Sequence, residues 1–306
     1  VDALRLRVVA QARAAYAEWY FVHAALEIHH ATKALLEDLI ATAETRYAAG
    51  RALKQDVLQA EIESRDLDNR LLWLLRLKAT VQARINAMLN RVPDAEMPLA
   101  DPALVNSGLP SLERLQELAV AQHPELAMLD ARISASTSRI TLAEKALYPD
   151  FQVGVGYNEL WSNSDQRPTF GVAINLPLDR GKRRADLSRA QADKRSAEWS
   201  LVERRANLLA DLAQARAEVS EAQDTIANYQ DELVPLAAEY LEAALADYQS
   251  GDGAFLNVIT AEQRKLGTEL AAARVRADYV RRLAALERWT GGDIDPAHTA
   301  QSGEQQ

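Results

Sequence analysis

Tyr47-Ala-Ala-Gly50, followed by Asp56-Val-Leu-Gln-Ala-Glu61, lines up without a gap on Tyr248-Gln-Ser-Gly251, followed by Asn257-Val-Ile-Thr-Ala-Glu262, at an offset of 201 residues. In each copy a long run of helix formers precedes the Tyr-x-x-Gly and another follows it. Self-similarity of this kind means that one supersecondary unit has been used twice. The period far exceeds that of a solenoid repeat, so the pattern predicts two elongated, antiparallel helical hairpins. Gly50 and Gly251 supply the backbone freedom of the turns, with Gly253 adding to it in the second copy. Asp56 stands where an N-cap of the next helix is expected.

Composition supports long helices: Ala, Leu, Glu, Arg and Gln dominate, and aromatic residues make up 6%. With 35 basic against 44 acidic residues the net charge is −9, and both signs are interleaved. That excludes nucleic acid as a main partner, because phosphate neutralisation needs a basic patch. There is no cysteine, hence no disulfide and no thiolate site. No apolar run is long enough to cross a bilayer as a helix. No signal peptide is visible, and Val1-Asp2-Ala3-Leu4-Arg5 reads as helix interior, so the chain is expected to start within an element.

Residues 1–90 form the first hairpin, with apolar positions such as Leu35, Leu36, Leu39 and Ile40 recurring at three and four. Residues 91–110 hold Pro93, Pro98, Pro102 and Pro110 and read as a linker or an irregular packed segment. Helices are expected over 111–147. In 148–178 the period changes. Phe151, Val153, Val155 and Tyr157 alternate with small or polar residues, and so do Phe170, Val172, Ile174 and Leu176 after a polar loop. Period-two alternation on both sides of a loop marks a β-hairpin. Its apolar face either packs on helices or faces lipid as part of a barrel, and a barrel in a membrane must close. Residues 179–292 form the second long hairpin, where Pro235 is expected to break or kink the helix. The tail, 293–306, is expected to be disordered.

Leu147-Tyr-Pro-Asp-Phe151, the strand pair, Leu176-Pro-Leu178 with Arg180-Gly-Lys-Arg183, and both Tyr-x-x-Gly segments resemble the outer-membrane efflux family typified by TolC. Ala87-Met-Leu-Asn-Arg91 leans toward its heavy-metal branch, typified by CzcC and CusC. The resemblance covers residues 1 to about 292. It implies a mainly α fold of long hairpins from an internal duplication, plus one β-hairpin of a transmembrane barrel. It also implies a homotrimer in the bacterial outer membrane, with four strands per protomer and a periplasmic helical tunnel. Partners would be a periplasmic adaptor and an inner-membrane pump of the proton-driven resistance-nodulation-division class. The exported cargo would be metal cations or small toxic compounds, with no cofactor and no enzymatic activity. Residue 1 aligns with residue 202, so the chain is expected to hold two of the four strands and to form no conducting pore by itself.

By the same resemblance the tips serve in gating or adaptor docking, through Tyr47, Gly50, Asp56, Tyr248, Gly251, Asp252 and Asn257. Family members that export drugs carry an aspartate where Asn257 stands and a basic residue where Gly253 stands, which leaves Asp56 and Asp252 as the acidic candidates here. Phe151, Val153, Val155, Tyr157, Phe170, Val172, Ile174 and Leu176 would form the lipid face. His23, Glu27 and His30, at i, i+4 and i+7, could in principle ligate a transition metal, but a solvated stripe is the favoured reading, and no metal site is assigned. The rival functions are a structural coiled-coil scaffold, which leaves the strand pair unexplained, and a periplasmic adaptor, which should carry a lipoyl-like domain around one hairpin.

Overall fold

A computed structural model describes residues 1–98, 108–157, 168–292 and 294. Its elements are α1 (Asp2–Ala48), α2 (Lys54–Met88), α3 (Leu112–Gln122), α4 (Pro124–Lys145), β1 (Asp150–Tyr157), β2 (Pro168–Asn175), α5 (Arg180–Asn228), α6 (Val234–Ser250) and α7 (Phe255–Thr290). They form two compact units, one of residues 1–122 with 210–306 and one of residues 123–209. The expected tail and the loop between the strands lie almost wholly outside the described residues.

The first unit is two antiparallel hairpins, α1–α2 and α6–α7, with α1 packed between α2 and α7. Buried positions of α1 fall at Val22, Ala25, His29, Thr32, Leu36, Leu39 and Ala43, steps of alternating three and four. That 3.5-residue seam is the coiled-coil repeat, which lets helices about 50–70 Å long stay in contact along their length. Leu36 and Leu39 meet Leu241, Phe255 and Ile259 in one apolar cluster, and Trp19, Val22, Leu74 and Ala277 form a second. Trp19 also donates its indole N–H to the Pro98 carbonyl at 2.9 Å, and Asn86 donates to the Pro93 and Ala95 carbonyls. The described part of the proline-rich segment is therefore bound to α1 and α2, as an irregular packed segment.

Pro235 stands at the second position of α6, directly after a disturbed turn. Between α5 and α6 the chain makes a five-residue π-turn, Tyr229–Leu233, and its flanks keep helical dihedrals (Asn228 φ −59°, ψ −42°; Val234 φ −67°, ψ −47°). Proline lacks the N–H that would bond four residues back, and its ring crowds that carbonyl. The wider turn immediately before it makes the room, so the expected break or kink takes the form of a π-bulge.

In the second unit, His123 caps α4, its Nδ1 accepting from the Glu125 N–H at 3.3 Å. Arg204 of α5 pairs with Glu125 at 2.6 Å, and the Arg183 guanidinium donates to the Ala146 carbonyl. β1 and β2 pair antiparallel, with Phe151 opposite Ile174, Val153 opposite Val172 and Val155 opposite Phe170. Directly opposed residues share a face, so the six apolar side chains form one patch. All six are 56–78% exposed among the described residues. Among these the face is uncovered, so the reading in which it packs on helices finds no support. Tyr157 ends β1 in the same register; Leu176, assigned to the same face, lies one residue past β2 and is exposed.

Candidate functional site: the paired hairpin tips

Both hairpins turn by the same hydrogen-bond scheme. The Arg51 N–H donates to the Arg46 carbonyl (2.8 Å) and Gly50 N–H to that of Tyr47 (2.9 Å); Asp252 N–H donates to Asp247 (3.0 Å) and Gly251 N–H to Tyr248 (3.2 Å). These are Schellman motifs, which require a left-handed residue just past the helix. Gly50 (φ +69°) and Gly251 (φ +95°) provide it. Each tip then re-enters helix through one extended residue, Leu53 (φ −89°, ψ 149°) or Ala254 (φ −76°, ψ 142°). The starts of α2 and α7, Lys54 and Phe255, keep the offset of 201. The duplication thus extends to the backbone path.

Asp56 is not the N-cap. Leu53 occupies that position, and Asp56 sits three residues on, its carboxylate accepting from the Leu53 N–H at 3.3 Å. This is the reach-back half of a capping box. Asn257 holds the same place in α7. Asp252, exposed on the loop, accepts from the Ser250 hydroxyl at 3.1 Å.

The side chains at equivalent positions diverge. Tyr248 is 4% exposed and Tyr47 is 47% exposed. The Tyr248 ring stacks edge-on to Phe255 at 5.1 Å, and the Arg46 guanidinium lies over it, 4.6 Å from its centroid, while donating to the Gln249 carbonyl at 3.0 Å. Its hydroxyl is buried without a hydrogen-bond partner. Burial first and the Asp56 charge second push its pKa up, and the Arg46 charge opposes them. The pseudo-equivalent tips therefore meet inside one chain, through Arg46 and Asp56 of the first and Tyr248 of the second. Arg46 carries no motif and adjoins the tyrosine that stays exposed, so sequence gave no cue to it.

Seven residues into α7, Glu262 is 2% exposed, and neither carboxylate oxygen has a hydrogen-bond partner. Burial and the Glu63 charge raise its pKa to about 7, against Arg70 and Lys265. A sequence cue did exist: Phe255, Val258, Ile259, Glu262 and Leu266 share the buried stripe of α7. The histidine stripe is less informative. His23 Nδ1 bonds the Trp19 carbonyl at 2.9 Å, while Glu27 and His30 are exposed. Among the described residues no group of three or more His, Asp or Glu side chains is placed to hold a metal ion.

Equivalent faces of the hairpins are also used differently. Leu39 of α1 is 4% exposed, and Tyr240, its counterpart on α6, is 48% exposed. Ile259 of α7 is 2% exposed, and Leu58, its counterpart on α2, is 46% exposed. The chain buries one copy of each face and leaves the other open, at its two flanks.

Duplicated hairpins with matched tips, together with an exposed apolar strand pair, define a mainly helical class of protein built by internal duplication. The family model described as outer membrane efflux protein matches residues 115–292, more than half of the 306, and the chain belongs to that family of the bacterial outer membrane. It is similar to nodulation protein T of Rhizobium leguminosarum bv. trifolii, at 22% identity over 98% of this chain and 66% of the relative, so it spans just under two thirds of that protein. The outer-membrane channel OprN shares its fold with TM-score 0.84 at 21% identity, covering 95% of this chain and 67% of that one. CusC does so with TM-score 0.82 at 18% identity, covering 95% and 70%.

Proposed function

We propose that the whole protein is a passive exit duct, the outer-membrane component of a tripartite efflux pump, and not an enzyme. Family membership and the exposed apolar strand face support the membrane placement. The observation that carries the duct is the unequal use of equal faces. A surface that fits its own counterpart elsewhere on the chain makes head-to-tail contacts, and such contacts close into a ring when the rotation allows. The open face of α6 is the copy of the α1 face that α7 covers, so the α2 of a second chain fits it. With two hairpins per chain, three chains give a ring of six, the homotrimer that the resemblance implies.

Quasi-equivalence specifies contacts in that ring. Glu63 of α2 accepts from Gln263, next to Glu262 on α7, and its charge acts on Glu262; shifting the two glutamates by 201 turns them into Arg264 and Glu61, both exposed. Arg264 of one copy and Glu61 of the next then form an ion pair. In the full-length protein, cysteines at 61 and 264 should be bridged between chains by a short bifunctional reagent, giving dimer and trimer bands. Monomer bands alone would sink the ring.

Energy comes from an inner-membrane pump of the resistance-nodulation-division class through a periplasmic adaptor, and the tips serve in gating or docking. The cargo is metal cations or small toxic compounds, with the Ala87–Arg91 wording supporting metals. Deleting the gene and challenging cells with heavy-metal salts and with organic toxicants tests this. Unchanged tolerance to both classes would remove the efflux reading.

A further inference from the structure

We propose that Glu262 and Glu63 form a proton-binding carboxyl pair between α7 and α2, which keeps the two hairpins closely packed while protonated and loosens them when it ionises. The proposal concerns the joint inside one chain and does not depend on the duct reading.

The geometry is that of a site built for a neutral acid. Glu262 lies on the buried stripe of α7 between Ile259 and Leu266, and both of its oxygens are enclosed without a donor. Glu63 is buried on α2, and one of its oxygens accepts from Gln263 Nε2 at 2.6 Å. A buried carboxylate with no donor is expensive, and a second carboxylate beside it makes simultaneous ionisation worse. A proton on Glu262 relieves both costs.

The cations around the pair do not replace that proton. On α7, Lys265 pairs with Glu269 at 2.8 Å. On α1, Lys33 is committed to Ser64 Oγ at 2.8 Å and Asp68 Oδ1 at 2.7 Å, and the buried His29 directs Nδ1 to the Ala25 carbonyl. Burial, chiefly, pushes the His29 pKa below its ordinary value, which disfavours a positive charge beside the pair. Arg70 of α2 acts on Glu262 through its field and lies on the exposed side of its helix. The α6 tyrosine nearest the tip, Tyr248, is occupied by Arg46. A proton is therefore the ligand that this cluster lacks.

The sign follows from linkage. The folded chain holds the Glu262 proton more tightly than the unfolded chain does. Its stabilising contribution is full below the ordinary glutamate value of 4.5, falls as pH climbs, and is gone above about 7.

Infrared difference spectroscopy of the detergent-solubilised protein reads the proton directly. At pH 6, where exposed carboxyls are ionised, a carboxylic-acid carbonyl band should persist and should vanish by pH 8.5. The band should be lost in Glu262→Gln and should titrate at lower pH in Glu63→Gln. Amide exchange in residues 57–67 and 258–266, corrected for intrinsic rates, should be several-fold faster at pH 8.5 than at pH 6 in the unaltered protein and pH-independent in Glu262→Gln. No band at pH 6 in the unaltered protein would overturn the proposal, by showing a carboxylate held by a cation or a charged side chain. So would a band that survives Glu262→Gln, a titration unmoved by Glu63→Gln, or exchange that ignores pH. The spectrum of the unaltered protein decides the first point even if a variant fails to fold.

Discussion

The two tips have one backbone and two chemistries. Both end a helix at a left-handed glycine and restart it four residues later, yet positions 46 and 247, 52 and 253, and 56 and 257 carry Arg and Asp, Ala and Gly, and Asp and Asn. The turn needs only a short list of local hydrogen bonds, which many side chains permit. What separates the tips is the neighbour each meets. The second is clasped by the first, and the first presents its tyrosine outward. Divergence between the copies thus follows the two kinds of joint, one inside the chain and one at its flank.

The largest expected difference is between the tyrosines. Tyr248→Ala should destabilise the chain by about 3–5 kcal/mol, as removal of a buried aromatic ring does, and Tyr47→Ala by less than about 1 kcal/mol in the isolated chain. Urea unfolding of the two variants gives the ratio directly; similar losses would mean that the tips are not used unequally. Next comes the residue two past the turn glycine. A Cβ on Gly253 would meet the Asp247 Cβ at 2.8 Å and its carbonyl carbon at 3.1 Å, at the end of a packed helix. Gly253→Ala should therefore cost about 1–3 kcal/mol through overpacking, while Ala52→Gly should cost about 1 kcal/mol or less. Equal thermal shifts would show that the second turn relaxes freely.

Gly50→Ala and Gly251→Ala should each cost about 1 kcal/mol, and about equally, because both sit at positive φ and neither Cβ would clash: nothing lies within 4 Å at Gly50, and Arg46 Nη2 lies at an ordinary 3.9 Å at Gly251. A large inequality would break the backbone equivalence of the tips. Smallest is Asp56→Ala, which removes the bond to the Leu53 N–H at about 0.5–1 kcal/mol; Asn257→Ala, with no counterpart bond, should change less. Loss of the Asp56 charge should also bring the Tyr248 titration partway down toward its ordinary value, since that charge helps to raise it. Ultraviolet titration of the tyrosines checks this. In the full-length protein, Asp56→Ala should leave trimer assembly intact while altering conductance or adaptor cross-linking. If both match the unaltered protein, Asp56 is a helix-end residue and nothing more.

Much of this was legible in the chain itself. Tyr-x-x-Gly twice, at one offset, determined the duplication and both turn glycines, because a helix end is specified by residues within a few positions of it. Period-two alternation determined the strands and which residues share their apolar face, because pleating is local too. Pro235 announced a disturbance but not its form, since a break and a π-turn differ only in whether the flanking helix has packing to keep it going. Whether the strand face was covered, which tyrosine was buried and that Glu262 lacked a donor were decided by tertiary structure alone. Each depends on what lies across a joint, and two copies of one stripe look alike until one of them is covered.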